Sequence, residues 1–189
     1  MRRNPGFTLI EMLVVITILV ILITVLVPSF TSSVQGVNLK TQIGDFASAL
    51  SYARSESVKR GARVTVCPSS DQATCGSVNW ESGWIVFVDT NNNFSLDVGE
   101  GPPLSAATAL PSGYALRGSS ATTLPSYVSF DSQGAPSDTG VIVLCHNGQI
   151  AASRAVNINS AGLIQVAPDN NDNGIPEDQD GNDLTSCTP

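Results

Sequence analysis

Residues 6–27 read Gly6-Phe7-Thr8-Leu9-Ile10-Glu11 and then MLVVITILVILITVLV, and this stretch decides how the rest of the chain is read. Residues 9–27 are apolar over enough length to cross a bilayer as a helix. One ionisable group, Glu11, sits near the start of the run. A carboxylate in hydrocarbon costs several kcal/mol unless it is paired, so a charge kept there is a functional residue by default.

The flanks orient the segment. Arg2 and Arg3 precede it, and no basic residue comes after it until Lys40. The positive-inside rule therefore keeps the short amino terminus in the cytoplasm and exports the residues downstream of the run. An ordinary cleaved signal has a shorter apolar core, no acid in it, and small residues at its end. This run instead ends at Pro28-Ser29-Phe30.

A glycine, a phenylalanine and a glutamate five positions after the glycine, behind a basic leader, resemble the class III leader of type IV pilins and type II secretion pseudopilins. Pro28 also stands where pilins carry a helix-loosening proline. The resemblance implies that a prepilin peptidase cuts after Gly6 and methylates the new amino terminus at Phe7. Glu11 is then an assembly residue: in an apolar filament core its carboxylate can pair with the α-amine of a neighbouring subunit, each charge offsetting the other's desolvation.

The 189 residues leave room for one exported domain beyond the helix. The chain carries a formal charge of −7, and loss of Arg2 and Arg3 makes it more acidic still. That balance argues against nonspecific attraction to nucleic acid or to anionic lipid. Four cysteines in an exported domain point to two disulfides. A local bridge between Cys67 and Cys75 would pin a short polar loop, leaving Cys145 for Cys187; other pairings stay open. A zinc site is disfavoured, because neither pair has C-x-x-C spacing and the lone His146 adjoins Cys145.

After Pro28 the helical pattern resumes. Leu39, Ile43, Phe46, Leu50 and Ala53 recur at spacings of four and three, one apolar stripe of an amphipathic helix. Gly61 stops it. A helix over residues 7–60 would be about 80 Å long at 1.5 Å per residue. Beyond Gly61 the pattern becomes strand-like, with short apolar runs at 63–67, 83–88, 127–130, 141–145 and 155–158 between turn residues. Residues 100–125 read as surface loop with one strand near Tyr114.

Within the pilin-like group, Ala53-Arg54-Ser55-Glu56-Ser57, Val64-Thr65-Val66-Cys67-Pro68 and Gly83-Trp84-Ile85-Val86-Phe87-Val88-Asp89 resemble the GspH/FimT family of minor pilins and pseudopilins. The expected fold is α+β and pilin-like, a long amino-terminal helix packed on antiparallel β-sheets. The expected segments are a leader at 1–6, a membrane and assembly helix at 7–28, an amphipathic helix at 29–60 and a β-rich domain at 61–189 with an acidic carboxyl-terminal loop. The resemblance implies a single-pass inner-membrane precursor with a periplasmic domain that moves into a filament at the cell surface. There it belongs at the tip or initiating complex of a type IV pilus or type II secretion pseudopilus. Its partners would be the prepilin peptidase, other pilins or pseudopilins, and an inner-membrane assembly platform.

Some FimT-type proteins bind DNA through Gly-Arg-x-Arg near the carboxyl terminus. Here the matching stretch is Gly162-Leu163-Ile164-Gln165, so both phosphate-binding arginines are replaced by neutral residues. Arg54, Lys59, Arg60 and Arg63 near the helix end read as solvating or capping cations. No nucleophile elbow or metal-site histidine pair is present, and a non-enzymatic role is expected. Trp80 and Trp84 read as core or edge residues.

Two acidic stretches have the oxygen-donor spacing of a calcium loop. Asp89, Asn91, Asn93, Asp97 and Glu100 hold positions 1, 3, 5, 9 and 12, with Ser95 at position 7, although Phe94 stands where the sharp turn wants glycine. Asp169, Asn171, Asn173, Glu177 and Asp180 repeat the spacing, with Gly174 at the turn and a carbonyl from Ile175. Calcium is the one cofactor these residues could hold. The competing reading is two solvated Asx-rich turns.

Overall fold

The computed structural model describes residues 6–119, 122, 124 and 126–188, the side chains of residues 25–33 excepted. Arg2, Arg3 and the side chain of Pro28 thus lie outside the described residues. Helix α1 spans Leu9–Arg60. The chain divides into two compact units, one ending at Asn38 and the other starting at Leu39.

In the first unit the apolar run is exposed on every face, from Leu9 at 85% to Ile23 at 53%. Its two threonines are satisfied locally. The Thr17 hydroxyl donates to the carbonyls of Leu13 (3.0 Å) and Val14 (2.8 Å), and the Thr24 hydroxyl to those of Val20 and Ile21 (3.0 Å each). Such back-bonding is what a helix in an apolar surrounding requires. No helix among the described residues is long and apolar enough to cross a membrane. The described side chains of the run stop at Thr24, short of the about 20 apolar residues a span needs.

The second unit is built on the amphipathic stripe. Leu39, Ile43, Phe46, Leu50 and Ala53 are all buried. They pack with Val66 and Val86 from one sheet and Ile142, Leu144 and Val156 from the other. Phe46 meets Trp80 and Trp84 edge-on, with ring centroids 5.2 and 5.1 Å away, so both tryptophans are core. The Trp80 indole N–H donates to Leu124 O at 2.7 Å, which satisfies its polar atom inside the core. Gly61 (φ 63°) ends the helix in the left-handed region, and Ala62 N–H reaches back to Ser57 O at 3.2 Å, a Schellman closure.

The strands are β1 Val64–Pro68, β2 Trp84–Val88, β3 Ser105–Ala107, β4 Tyr114–Gly118, β5 Val128–Phe130, β6 Gly140–His146, β7 Gln149–Ile158 and β8 Ile164–Val166. They form two four-stranded antiparallel sheets, ordered β3-β2-β1-β5 and β4-β6-β7-β8. The α+β pilin-like architecture expected from the sequence is the one observed. Two strands are additional: β3, inside the stretch read as loop, and β8. Strand β7 also begins earlier than its apolar pattern, because a register shift opposite Leu144/His146 and a left-handed Ala152 (φ 65°) break the alternation.

The outer face of the second sheet carries its own small core, in which Val141, Val143, Cys145 and Ala155 are covered by Ala167 and Leu184. The carboxyl-terminal segment is held there by the Cys145–Cys187 disulfide, and Cys67 is bonded to Cys75. His146 lies beside the Tyr114 ring, with centroids 4.8 Å apart.

Candidate functional site

Thr8 precedes the first helical residue, and its backbone N–H and side chain are matched reciprocally by Glu11. Glu11 N–H donates to Thr8 Oγ1 at 3.3 Å and Thr8 N–H to Glu11 Oε2 at 3.5 Å, the arrangement of a capping box. The carboxylate is therefore held at the positive end of the helix dipole, three residues from Thr8 and close in sequence to Phe7. Phe7 is 82% exposed. A Cβ added at Gly6 would meet nothing within 4 Å, so the chain's own packing does not demand glycine there.

The stretch that matches the DNA-binding motif folds as a tight crossing. Gly162 is left-handed (φ 72°), and a Cβ there would come within 2.2 Å of Gly134 O. Arg54 bridges the same crossing, donating from Nε to Gly134 O (3.1 Å) and from a terminal nitrogen to Ala161 O (2.9 Å). The glycine thus serves packing, and the next position presents a 45% exposed Leu163 rather than a cation. The other basic residues near the helix end have partners. Lys59 (3.1 Å) and Arg60 (2.6 Å) pair with Glu56, whose carboxyl is held below its usual range by Arg60 and then Lys59. Arg63 bonds Asn92 Oδ1 (2.7 Å) and Ser129 Oγ (2.8 Å), and lies over the Phe94 ring.

The two Asx-rich loops share one local design. In the first, the buried Asp89 accepts from Thr65 Oγ1 (3.1 Å) and from the N–H groups of Asn93 (3.1 Å) and Phe94 (3.0 Å). The side-chain amides of Asn91 (2.8 Å) and Asn93 (2.5 Å) both donate to Asp97. Glu100 accepts from the N–H groups of Thr90 (2.7 Å) and Asp97 (3.1 Å). Phe94 replaces the turn glycine by adopting φ 63°, its ring stacked on Tyr127 at 4.3 Å. Asn91 and then Asn93 hold Asp97 below the usual carboxylate range. Burial pulls Glu100 the other way, but the N–H groups of Asp97 and Thr90 outweigh it and leave Glu100 lowered too.

In the second loop Asp169 accepts from the N–H groups of Asn173 (3.1 Å) and Gly174 (2.9 Å), and Asn173 Oδ1 from Ile175 N–H (2.8 Å). The residue facing both asparagines is Asp183, at 3.0 Å from the Asn171 amide and 2.5 Å from the Asn173 amide. This differs from the twelve-residue spacing. Asp180 lies in a separate turn, its N–H donating to Asp178 at 2.9 Å, and the buried Glu177 is turned onto Asn170. The reason is a bridge between Glu177 and Asp183, which folds the chain back where an EF-hand loop would run on into a helix. Among the described residues no group of three or more His, Cys, Asp or Glu side chains is placed to hold a metal.

Residues 42–162 match the family described as Type II transport protein GspH, and residues 1–27 match the Prokaryotic N-terminal methylation motif. No curated protein matches the sequence. In fold the chain is similar to the type IV minor pilin FimU of Pseudomonas aeruginosa, with a TM-score of 0.56 at 19% identity over 84% of this chain and 98% of that one. A second crystal form of FimU gives 0.54 at 18% over 78% and 98%. The minor pseudopilin EpsH from the type 2 secretion system of Vibrio cholerae gives 0.47 at 15% over 68% and 95%. The family match runs from the buried face of α1 to the Gly162 crossing, behind a methylation motif with Glu11 in place, and the chain belongs to the GspH family.

Proposed function

We propose that this protein is a minor pilin or pseudopilin subunit, cut after Gly6, methylated at Phe7 and assembled through residues 7–28 at the tip or initiating complex of a filament. The observation that carries the reading is the methylation motif joined to an apolar helix that is exposed on every described face. Apolar side chains so exposed need lipid before assembly and neighbouring helices after it. The proposed path runs from the inner membrane, with residues 61–189 in the periplasm, through the prepilin peptidase and an assembly platform into the filament. The role is structural rather than catalytic. Binding of DNA is disfavoured, since Leu163 and Gln165 stand where the arginines would contact phosphate.

Calcium is proposed for the second loop with a revised ligand set: Asp169, Asn171, Asn173, the Ile175 carbonyl and Asp183. Oxygen donors at this spacing suit a hard cation, and an exported loop meets calcium at concentrations that fill sites of about 10⁻⁴ to 10⁻³ M. Calorimetry of the full chain in detergent, with calcium and with magnesium, tests it: no heat with calcium would leave an Asx-rich turn.

The filament reading is tested at Gly6. In cells that carry the peptidase, a Gly6→Val variant should accumulate as full-length precursor in the membrane fraction. Mature-length protein from that variant, seen by intact-mass spectrometry, would overturn the processing step.

A further inference from the structure

Strand β8 ends its sheet, and its ladder to β7 uses only alternate residues. Leu163 O accepts from Asn159 N–H (3.2 Å) and Ala167 N–H donates to Ala155 O (2.8 Å), with Gln165 paired opposite Asn157 between them. The intervening residues, Ile164 and Val166, therefore turn their N–H and C=O groups away from β7. Two of the other sheet edges are closed by the chain itself. Leu116 N–H on β4 is taken by Glu81 (3.4 Å), and Ser129 on β5 exchanges bonds with Ser137 (3.2 and 2.7 Å). The β3 edge borders a groove whose one charged side chain is Asp45, with Tyr52 and Trp84 also in its lining.

The surroundings of β8 are different in charge. A cavity of about 300 Å³ at one end is lined by Lys40, Ile43, Arg154 and Val166, and one of about 580 Å³ at the other by Arg54, Val58, Leu163 and Ile164. Three of the chain's nine basic residues thus flank a three-residue strand in a protein of net charge −7. Lys40 makes no ion pair or hydrogen bond among the described residues, and Arg154 bonds only the Ser153 carbonyl, at 2.6 Å. The opposing charge at the first cavity is Asp169, whose carboxylate is occupied by the Asn173 and Gly174 N–H groups. Val166 and Leu163 are 47% and 45% exposed.

We infer that β8 is a strand-addition site for an extended segment, acidic at every second residue, supplied by a neighbouring filament subunit. Main-chain pairing to Ile164 and Val166 would supply affinity and the flanking cavities specificity, as in other edge-strand recognition. Residues two apart on a strand are about 6.6 Å apart and share a face. Arg154 and Val166 lie on the helix side of the sheet with Val156, opposite which Val166 pairs. Acids on that face of the added strand would meet Lys40 and Arg154 at one end; at the other, Arg54 contributes its charge while it donates to Gly134 O and Ala161 O. That the donor is a filament subunit rests on the function proposed above; the pairing itself does not.

The test uses the full chain in detergent micelles and a short peptide of alternating valine and glutamate, with alternating valine and lysine as control. Amide exchange at Ile164 and Val166 should slow by about tenfold or more with the glutamate peptide and stay unchanged with the lysine peptide. Lys40→Glu combined with Arg154→Glu should weaken binding about tenfold, with a shallower salt dependence. Val166→Pro removes an outward N–H at an open edge, a position where proline is tolerated, and should abolish binding with an unchanged melting temperature. No protection with the glutamate peptide, equal protection with both, or wild-type binding by the charge-reversed pair would each overturn the inference. Since no filament is needed, failure here is distinguishable from failure of the processing test at Gly6.

Discussion

Helix α1 has two regions that carry apolar side chains in different arrangements, and those side chains meet opposite fates. Residues 9–24 place leucine, isoleucine and valine on all sides, and those side chains stay about half exposed. From Leu39 to Ala53 the five residues Leu39, Ile43, Phe46, Leu50 and Ala53 lie on one stripe, and each is at most 4% exposed. Both the number of apolar residues and their periodicity differ, and the periodicity decides what can cover them. A stripe can be buried against one pair of sheets, whereas an all-round apolar surface cannot be buried by a single partner and needs lipid or several helices. The first region is thus adapted to other molecules and the second to its own chain.

Substitutions should therefore fail in different ways in the two regions. The largest effect is expected from Glu11→Val, which should be processed and inserted like the wild type yet be absent from sheared filaments. On the proposed assembly the ion pair this carboxylate would make forms only between subunits, and immunoblots of the filament and membrane fractions measure the loss. Wild-type incorporation would break the comparison at its first half. In the second half, Phe46→Ala should cost about 3 to 5 kcal/mol of unfolding free energy, since it opens a cavity between Trp80 and Trp84. Denaturant melts of the full chain in detergent check it, and cleavage after Gly6 should be unaffected.

The disulfides sharpen the second half further. On loop-closure entropy, replacing Cys145 and Cys187 by serine should cost about 4 kcal/mol, and replacing Cys67 and Cys75 about 2.5 kcal/mol. The difference arises from sequence separations of 42 and 8. Equal losses in denaturant melts would show that the carboxyl-terminal segment is held by its apolar contacts and not by the bridge. The smallest effect is on acid stability. Asp97 and Glu100 have folded-state pKa values below their unfolded ones, as does Asp178 through the N–H of Asn182. Their contribution is complete above about pH 4 to 4.5 and is lost as pH falls through the lowered values. Melting temperature should accordingly hold from neutral pH to that point and then decline, more gently in Asp97→Asn.

Much of this was legible from residues alone where a long pattern or a motif carried it. The five-residue stripe on α1 and the Gly61 stop come from the 3.6-residue period and the needs of a helix end. Strands β1, β2 and β6 announce themselves as apolar runs. The Gly6-Phe7 and Glu11 pattern is local chemistry that no tertiary contact is needed to reveal. Strands β3 and β8 are as short as β5 but largely exposed where β5 is buried, so neither shows as an apolar run, and β7 hides its first half behind the Ala152 bulge.

Other features depend on chain segments that meet only after folding. Asp183 faces Asn171 and Asn173 because the bridge to Glu177 returns the chain, and a linear spacing rule cannot see that return. Arg54, one of several cations at a helix end when read in sequence, proves to be the clasp over the Gly134–Gly162 crossing, between residues 80 and 107 positions away from it. The open edge of β8 is likewise a property of the sheet order, since a strand is an edge only by virtue of what fails to pair with it. Local preference and periodicity act over a few residues and can be read there. Which distant groups satisfy one another's hydrogen bonds and charges is set by packing, and only the folded chain records it.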